Sequence, residues 1–195
     1  MRRRVLPRAV ISTPRSSRWR QRRQLPSHCR PPRALHSWLD DSGSLTARLI
    51  AFSRGQFQVE VLQQGLGIPS RDEQQQLHMK RPGLALIREV ILCGHKQPWV
   101  FARSVLPLSG LTGELRHLRK YNARPLGAFL FRQPHLQRSP IAVAAFNADD
   151  SYVPAGLAHQ FPLWGRRSVF ALRGKPLLVS EVFLPALCEQ LTAPI

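Results

Sequence analysis

Residues 84–107, LALIREVILCGHKQPWVFARSVLP, decide the architecture. Two apolar runs, Leu84–Cys93 and Trp99–Leu106, flank the short connection GHKQ, a spacing that predicts an antiparallel hairpin. Side chains on a strand alternate between two faces. Arg88 therefore shares a face with Leu84, Leu86, Val90 and Leu92, and Arg103 with Trp99, Phe101 and Val105. A third run, PLLVSEVFLP at 176–185, sets Glu181 on a face with Leu177, Val179 and Phe183. An unpaired buried charge costs several kcal/mol, so two arginines and a glutamate inside apolar strands imply mutual pairing or a polar pocket for an anionic ligand. A pocket is the expectation.

Outward from this hairpin, QFQVEVLQQG alternates Phe57, Val59 and Val61 against Gln56, Gln58 and Glu60, which predicts a first strand with one wet face. Before it, ALHSWLDDSGSLTARLIAF carries two short helical patterns broken at Ser42-Gly43, with Ser44 as cap, so ordered structure is expected from about Ala34. The polar stretch IPSRDEQQQLHMKRPG connects the first strand to the hairpin. Beyond the hairpin, Leu111, Leu115 and Leu118 recur at helical spacing, and Arg124-Pro125-Leu126-Gly127 interrupts the chain before AFLFR. SPIAVAAFN, WGRRSVFALRG and PLLVSEVFLP add three strands, the last two joined by a tight turn at Gly174-Lys175-Pro176. The pattern predicts an α+β fold, a mainly antiparallel sheet of about six strands with helices covering one face.

The 195 residues suffice for one domain. The formal charge of +18 resembles a nucleic-acid signature until it is divided, because residues 1–34 hold eleven arginines and no acid, leaving +7 for the remainder. A residual +7 favours an anionic partner without choosing a small acid over an acidic surface. Residues 1–33, rich in Arg, Ser and Pro, read as a basic, disordered extension preceding a domain at 34–195. Three roles stay open for this tail: nucleic-acid or anionic-lipid binding with Trp19 as anchor, organelle targeting, or a dispensable extension. Prolines at 7, 14, 26, 31 and 32 oppose the long amphipathic helix of a transit peptide. Cys29, Cys93 and Cys188 form no CxxC pair, the seven histidines form no ligand spacing, and no run reaches the roughly 18 to 20 apolar residues of a membrane span. Asp149-Asp150 reads as a solvated turn, Cys93 as a small buried hydrophobe, and Arg166 and Arg167, on opposite faces, as sheet-edge salt-bridging residues outside the chemistry.

GxGxxG, GxxxxGK[ST], GxSxG and HExxH are all absent, which removes support for nucleotide cofactors, serine hydrolysis and zinc proteolysis. From Leu84 to Pro185, the order LIREVILC, PWVFARSVLP, RPLGAFLF, LWGRRS and GKPLLVSEVFLP resembles the chorismate lyase family, whose members convert chorismate to 4-hydroxybenzoate and pyruvate at the head of bacterial ubiquinone synthesis. The resemblance extends upstream through SWLDDSGSLTARL and covers residues 35–187, leaving the tail outside. It implies an enclosed site that releases product slowly, and such a reaction needs no cofactor or metal; the unpaired cysteines make a reducing cytoplasm the default and the lack of an exposed apolar stripe a monomer, while hand-off of product to a membrane prenyltransferase stays open. It further implies that Arg88 binds the ring carboxylate, that Glu181 contacts the hydroxyl end of the product, and that backbone amides near Leu45 and Leu126 complete the carboxylate site. Arg103 is then the candidate for the enolpyruvyl carboxylate. Better-known members carry methionine where Leu45 stands.

The chemistry is consistent with this expectation. Chorismate is a dianion, and two guanidinium forks match two carboxylates, each charge-assisted bond contributing about 1.5 to 3 kcal/mol in a dry site. Loss of the enolpyruvyl group aromatises the ring, so catalysis reduces to orientation and placed charge. Base, acid and orienting roles remain open for Glu181. Two rivals stand beside the lyase: a non-catalytic ligand-sensing domain, as in related folds of bacterial transcription regulators, and a nucleic-acid-binding protein acting through residues 1–33.

Overall fold

The computed structural model describes residues 19–26, 29–80, 82–121, 123–157 and 160–193. The disorder expected of residues 1–18 lies outside them, as do His28 and His159. The described residues build a seven-stranded antiparallel sheet: β1 (Phe57–Gly67), β2 (Ala85–Gly94), β3 (Gln97–Pro107), β4 (Gln137–Arg138), β5 (Ala142–Phe146), β6 (Leu163–Leu172) and β7 (Lys175–Phe183). The order is β1-β2-β3-β7-β6-β4, with β5 also paired to β6. All six expected strands are present, and the two-residue β4 makes the seventh. Five α-helices accompany them: α1 (Arg33–Leu39), α2 (Leu45–Phe52), α3 (Arg71–Gln76), α4 (Leu126–Leu130) and α5 (Pro185–Thr192).

The two hairpins turn where the chain can adopt left-handed backbone. His95 and Lys96 have φ of 51° and 62° between β2 and β3, and Arg173 and Gly174 have 51° and 74° between β6 and β7, the pairing of positive angles that matches strand twist. In β1 the expected alternation holds only as far as Glu60. A register shift between Val61 and Gln63 turns Val61 and Leu62 outward, and both are exposed on this edge strand. β2 is buried along its whole length, which explains its nearly continuous apolar run.

Both faces of the sheet are covered, where the sequence predicted one. On the first face, Leu35, Trp38, Leu39, Leu45 and Leu49 from α1 and α2, with Leu187 from α5, pack on Val90, Leu92, Val100 and Phe183. A second cluster on that face joins Leu126 and Leu130 of α4, with Leu115 and Leu118 of a 3-10 helix (Gly113–Lys120) and Leu111 just before it, to Leu86, Leu106, Phe170 and Leu177. The opposite face carries Ile91, Phe101, Phe146, Tyr152, Leu163 and Val182 in one cluster and Leu77, Ala85, Ile87, Val105 and Leu178 in another.

Three elements fall outside the expectations. α3 lies within the stretch read as a polar connection, where Ser70 and Glu73 form a capping box: Ser70 Oγ accepts from the Glu73 N–H at 3.1 Å, and Glu73 Oε2 from the Ser70 N–H at 2.9 Å. α5 begins with Pro185 at its first turn, where the missing N–H costs nothing. Residues 19–26 join the domain instead of standing apart. Trp19 packs edge-on to Phe146 and Tyr152 beneath the Arg167 guanidinium, and Arg20 exchanges backbone hydrogen bonds with Val143. Among the described residues no helix is long and apolar enough to cross a membrane.

Candidate functional site

The register of the sheet lines up two rows of side chains on the first face. Val90, Ala102, Glu181 and Arg166 lie opposite one another across β2, β3, β7 and β6, and Arg88, Ser104, Val179 and Ser168 form the adjacent row. These rows pass between the two apolar clusters of that face. α1 and α2 roof one side, α4 the other, and the seam left between them is a small cavity. Arg88, Arg138, Arg166 and Glu181 supply its charges, and Leu45, Leu126, Leu130, Val90, Leu92 and Phe170 much of its apolar wall.

Each cavity arginine also holds the roof. Arg166 donates from Nε to Glu181 Oε2 at 2.7 Å and from Nη1 to the carbonyls of Trp38 (2.6 Å) and Asp41 (2.7 Å). Arg138 donates from Nε to Ser168 Oγ at 3.0 Å and from Nη1 to the Ser42 carbonyl at 2.7 Å, with its guanidinium 5.1 Å from the Phe170 ring centre. Arg88 donates from Nη2 to the Arg124 carbonyl at 3.1 Å, just ahead of α4. The turn 40–44 and the lead-in to α4 are thus fastened to the sheet by the cations they cover. The two roof segments approach closely because residue 127 is glycine, since a Cβ there would stand 2.8 Å from Thr46 Oγ1.

The electrostatics favour an anion. Three lining arginines face one lining carboxylate. Burial pulls the pKa of Arg88 down, with Tyr121 acting in the opposite direction. Arg138 is pulled down by burial first and by repulsion from Arg166 second, against attraction from Glu181 and Asp41. A guanidinium whose charge is penalised by its surroundings gains most from a carboxylate arriving beside it. Leu45 and Leu126 are the first residues of α2 and α4, where backbone N–H groups lack intrahelical acceptors and are available to such a ligand.

The structure therefore brings Arg88, Glu181, Leu45 and Leu126 to one cavity, and it does not bring Arg103 there. Arg103 faces the other way, fully buried, with Nε on Glu73 Oε1 at 2.7 Å, Nη2 on Glu73 Oε2 at 3.1 Å and Nη1 on Glu89 Oε1 at 2.5 Å. The direct pairing of Arg103 with Ser180, while Ala102 pairs with Glu181, fixes this: neighbours in sequence cannot share a face. Its charge is doubly answered. Burial would lower its pKa, but Glu73 foremost, with Tyr152 and Glu89, raises it well above the usual arginine value.

Two cavity residues escaped the sequence reading. Arg166 was read as an edge residue, yet counting back equally from the Arg173-Gly174 turn sets it directly opposite Glu181, a signal available in the sequence. Arg138 gave no such signal, because β4 is too short to show a period. Arg167, read alongside Arg166, does point to the opposite face, where it pairs with Asp72. The three cysteines are free, and among the described residues no cluster of His, Cys, Asp and Glu could hold a metal.

With this geometry in place, the relatives are informative. The family model for chorismate lyase matches residues 13–193. Proteins named probable chorismate pyruvate-lyase from Aromatoleum aromaticum, Azoarcus and Pseudomonas aeruginosa are 43%, 46% and 43% identical, over 90%, 81% and 78% of this chain and 96%, 89% and 84% of theirs. Among solved structures, a GntR-family transcriptional regulator from Bacillus cereus aligns with TM-score 0.51 at 12% identity, covering 72% of this chain and 96% of that one. The C-terminal domain of a histidine utilization repressor from Pseudomonas syringae aligns with the same score and identity over 67% and 92%. These two likenesses speak for the fold alone.

Proposed function

The chain belongs to the chorismate lyase family, and from that premise we propose that it is a chorismate pyruvate-lyase releasing 4-hydroxybenzoate and pyruvate. The observation that carries the reading is the excess of three arginines over one glutamate in a roofed cavity whose other lining is mostly apolar, which suits a small dianion. Arg88, with the first amides of α2 and α4, takes the ring carboxylate. Glu181 faces the hydroxyl and ether end. Its Oε2 is occupied by Arg166 Nε, which fixes the carboxylate in place and leaves Oε1 to the substrate.

In the reaction the ether bond to the ring breaks, the enolpyruvyl fragment leaves with the electron pair and takes up a proton to become pyruvate, and the ring loses the hydrogen on its hydroxyl-bearing carbon. Atoms balance without water or a redox partner. The protein orients the dianion, holds an acceptor oxygen beside the ring and excludes solvent under the roof. The reading extends to a monomer working in the cytoplasm, with the product passing to a membrane prenyltransferase in ubiquinone synthesis.

The test is turnover of chorismate by purified protein, with 4-hydroxybenzoate followed by absorbance and pyruvate by a coupled lactate dehydrogenase assay. Both products in equal amounts, with the initial rate falling as 4-hydroxybenzoate is added, are expected. Chorismate that binds without yielding either product would overturn the lyase in favour of a sensor.

A further inference from the structure

We infer that Arg138 is the residue that binds the second carboxylate, the one on the enolpyruvyl ether, and that it discriminates substrate from product in this cavity. The inference rests on the lyase reading for the identity of the ligand and on separate observations for the residue.

Of the lining cations, Arg166 is committed to Glu181 by an ion pair through Nε and to two roof carbonyls through Nη1. Arg88 serves the ring carboxylate in the assignment above. Arg138 remains. It lines the cavity and is only partly exposed, and among the described residues it makes no ion pair. Its Nε and Nη1 are taken by Ser168 and the Ser42 carbonyl, while its Nη2 makes no hydrogen bond among the described residues. Ser168 below and Phe170 beside it hold the guanidinium in place. An arginine restrained on two sides with one terminal nitrogen left over is prepared for an acceptor.

Its position suits the spacing of the charges. Arg88 is on β2 and Arg138 on β4, four strand steps apart in the sheet, or on the order of 19 Å along the backbone. Both side chains line the one cavity, approaching it from opposite ends of that span. Glu181 and Arg166 lie on β7 and β6, between the two ends, where the ether and hydroxyl would sit. Once the enolpyruvyl group departs, the product keeps only the carboxylate at the Arg88 end. Arg138 then holds nothing but the roof and its serine.

The test compares 4-hydroxybenzoate with 3-carboxymethoxy-4-hydroxybenzoate, a stable mimic that adds an ether bearing a second carboxylate at the position of the enolpyruvyl group. Their affinities are measured by calorimetry on the full chain, for wild type, Arg138→Met and Arg138→Lys. The Met variant should lose tenfold or more in affinity for the dicarboxylate, keep that for 4-hydroxybenzoate within threefold, and raise the chorismate KM in parallel. The Lys variant, which retains the charge, should fall between. Equal loss of both ligands would reduce Arg138 to a tether for the 40–44 turn and overturn the inference, as would no loss of either. If the Met variant does not fold, the Lys variant gives the same comparison with a smaller ratio. Pyruvate release by the wild type reports separately on the lyase reading, so a silent wild type sinks that reading without being confused with failure of the Arg138 assignment.

Discussion

The two faces of the sheet are built alike and used differently. Each carries two apolar clusters parted by a charged seam. On one face the seam holds Arg88, Arg138 and Arg166 against Glu181, and the space above it is a roofed cavity. On the other, Arg103 and Arg167 meet Glu73, Glu89 and Asp72, and α3 fills the space with its own acids. The balanced seam fastens a helix to the sheet. The unbalanced seam retains positive charge for which the protein supplies too few anions, and a ligand can supply the rest. Buried arginine therefore does not by itself mark a site; its state of compensation does.

The largest effect should come from the balanced face. Arg103→Ala leaves Glu73 and Glu89 buried without their cation and should cost about 3–5 kcal/mol of stability, read as a lower midpoint in chemical denaturation. The comparison fails if Arg88→Ala is as costly to the fold. Arg88→Ala should instead act on the reaction, lowering kcat/KM about 10- to 150-fold, the equivalent of about 1.5–3 kcal/mol of charge-assisted bonding, while the denaturation midpoint moves little. Normal turnover by that variant would show that the unbalanced seam is not the site. Trp19→Ala sharpens the contrast with the smallest change. Trp19 is only half buried, so about 1–2 kcal/mol of stability should be lost, less than for a core tryptophan, with KM for chorismate unchanged because it lies on the opposite face.

Much of the sheet was legible in the chain because its signals are local. Period-two alternation and continuous apolar runs placed β2, β3, β6 and β7, and Ser44 announced α2 by accepting the Ala47 N–H at 3.3 Å. The capping box at Ser70 and Glu73 was equally local and was passed over because the surrounding stretch is polar. In the site, Arg88 and Glu181 stood out as charges on apolar faces. Arg103 stood out for the same reason and with the same strength.

Sequence alone determined that charge would be buried in β2, β3 and β7, and at which positions, since alternation depends only on chain geometry. Only the tertiary structure decided which buried charge would be answered. α3 delivers Glu73 to Arg103 across 30 residues of chain, and the pairing of β3 with β7 turns Arg103 and Glu181 to opposite faces. Arg138, from a strand of two residues, reaches the cavity only because β4 pairs with β6 beside Phe170. Compensation depends on distance in space, and that is set by the folding of the sheet and its helices together.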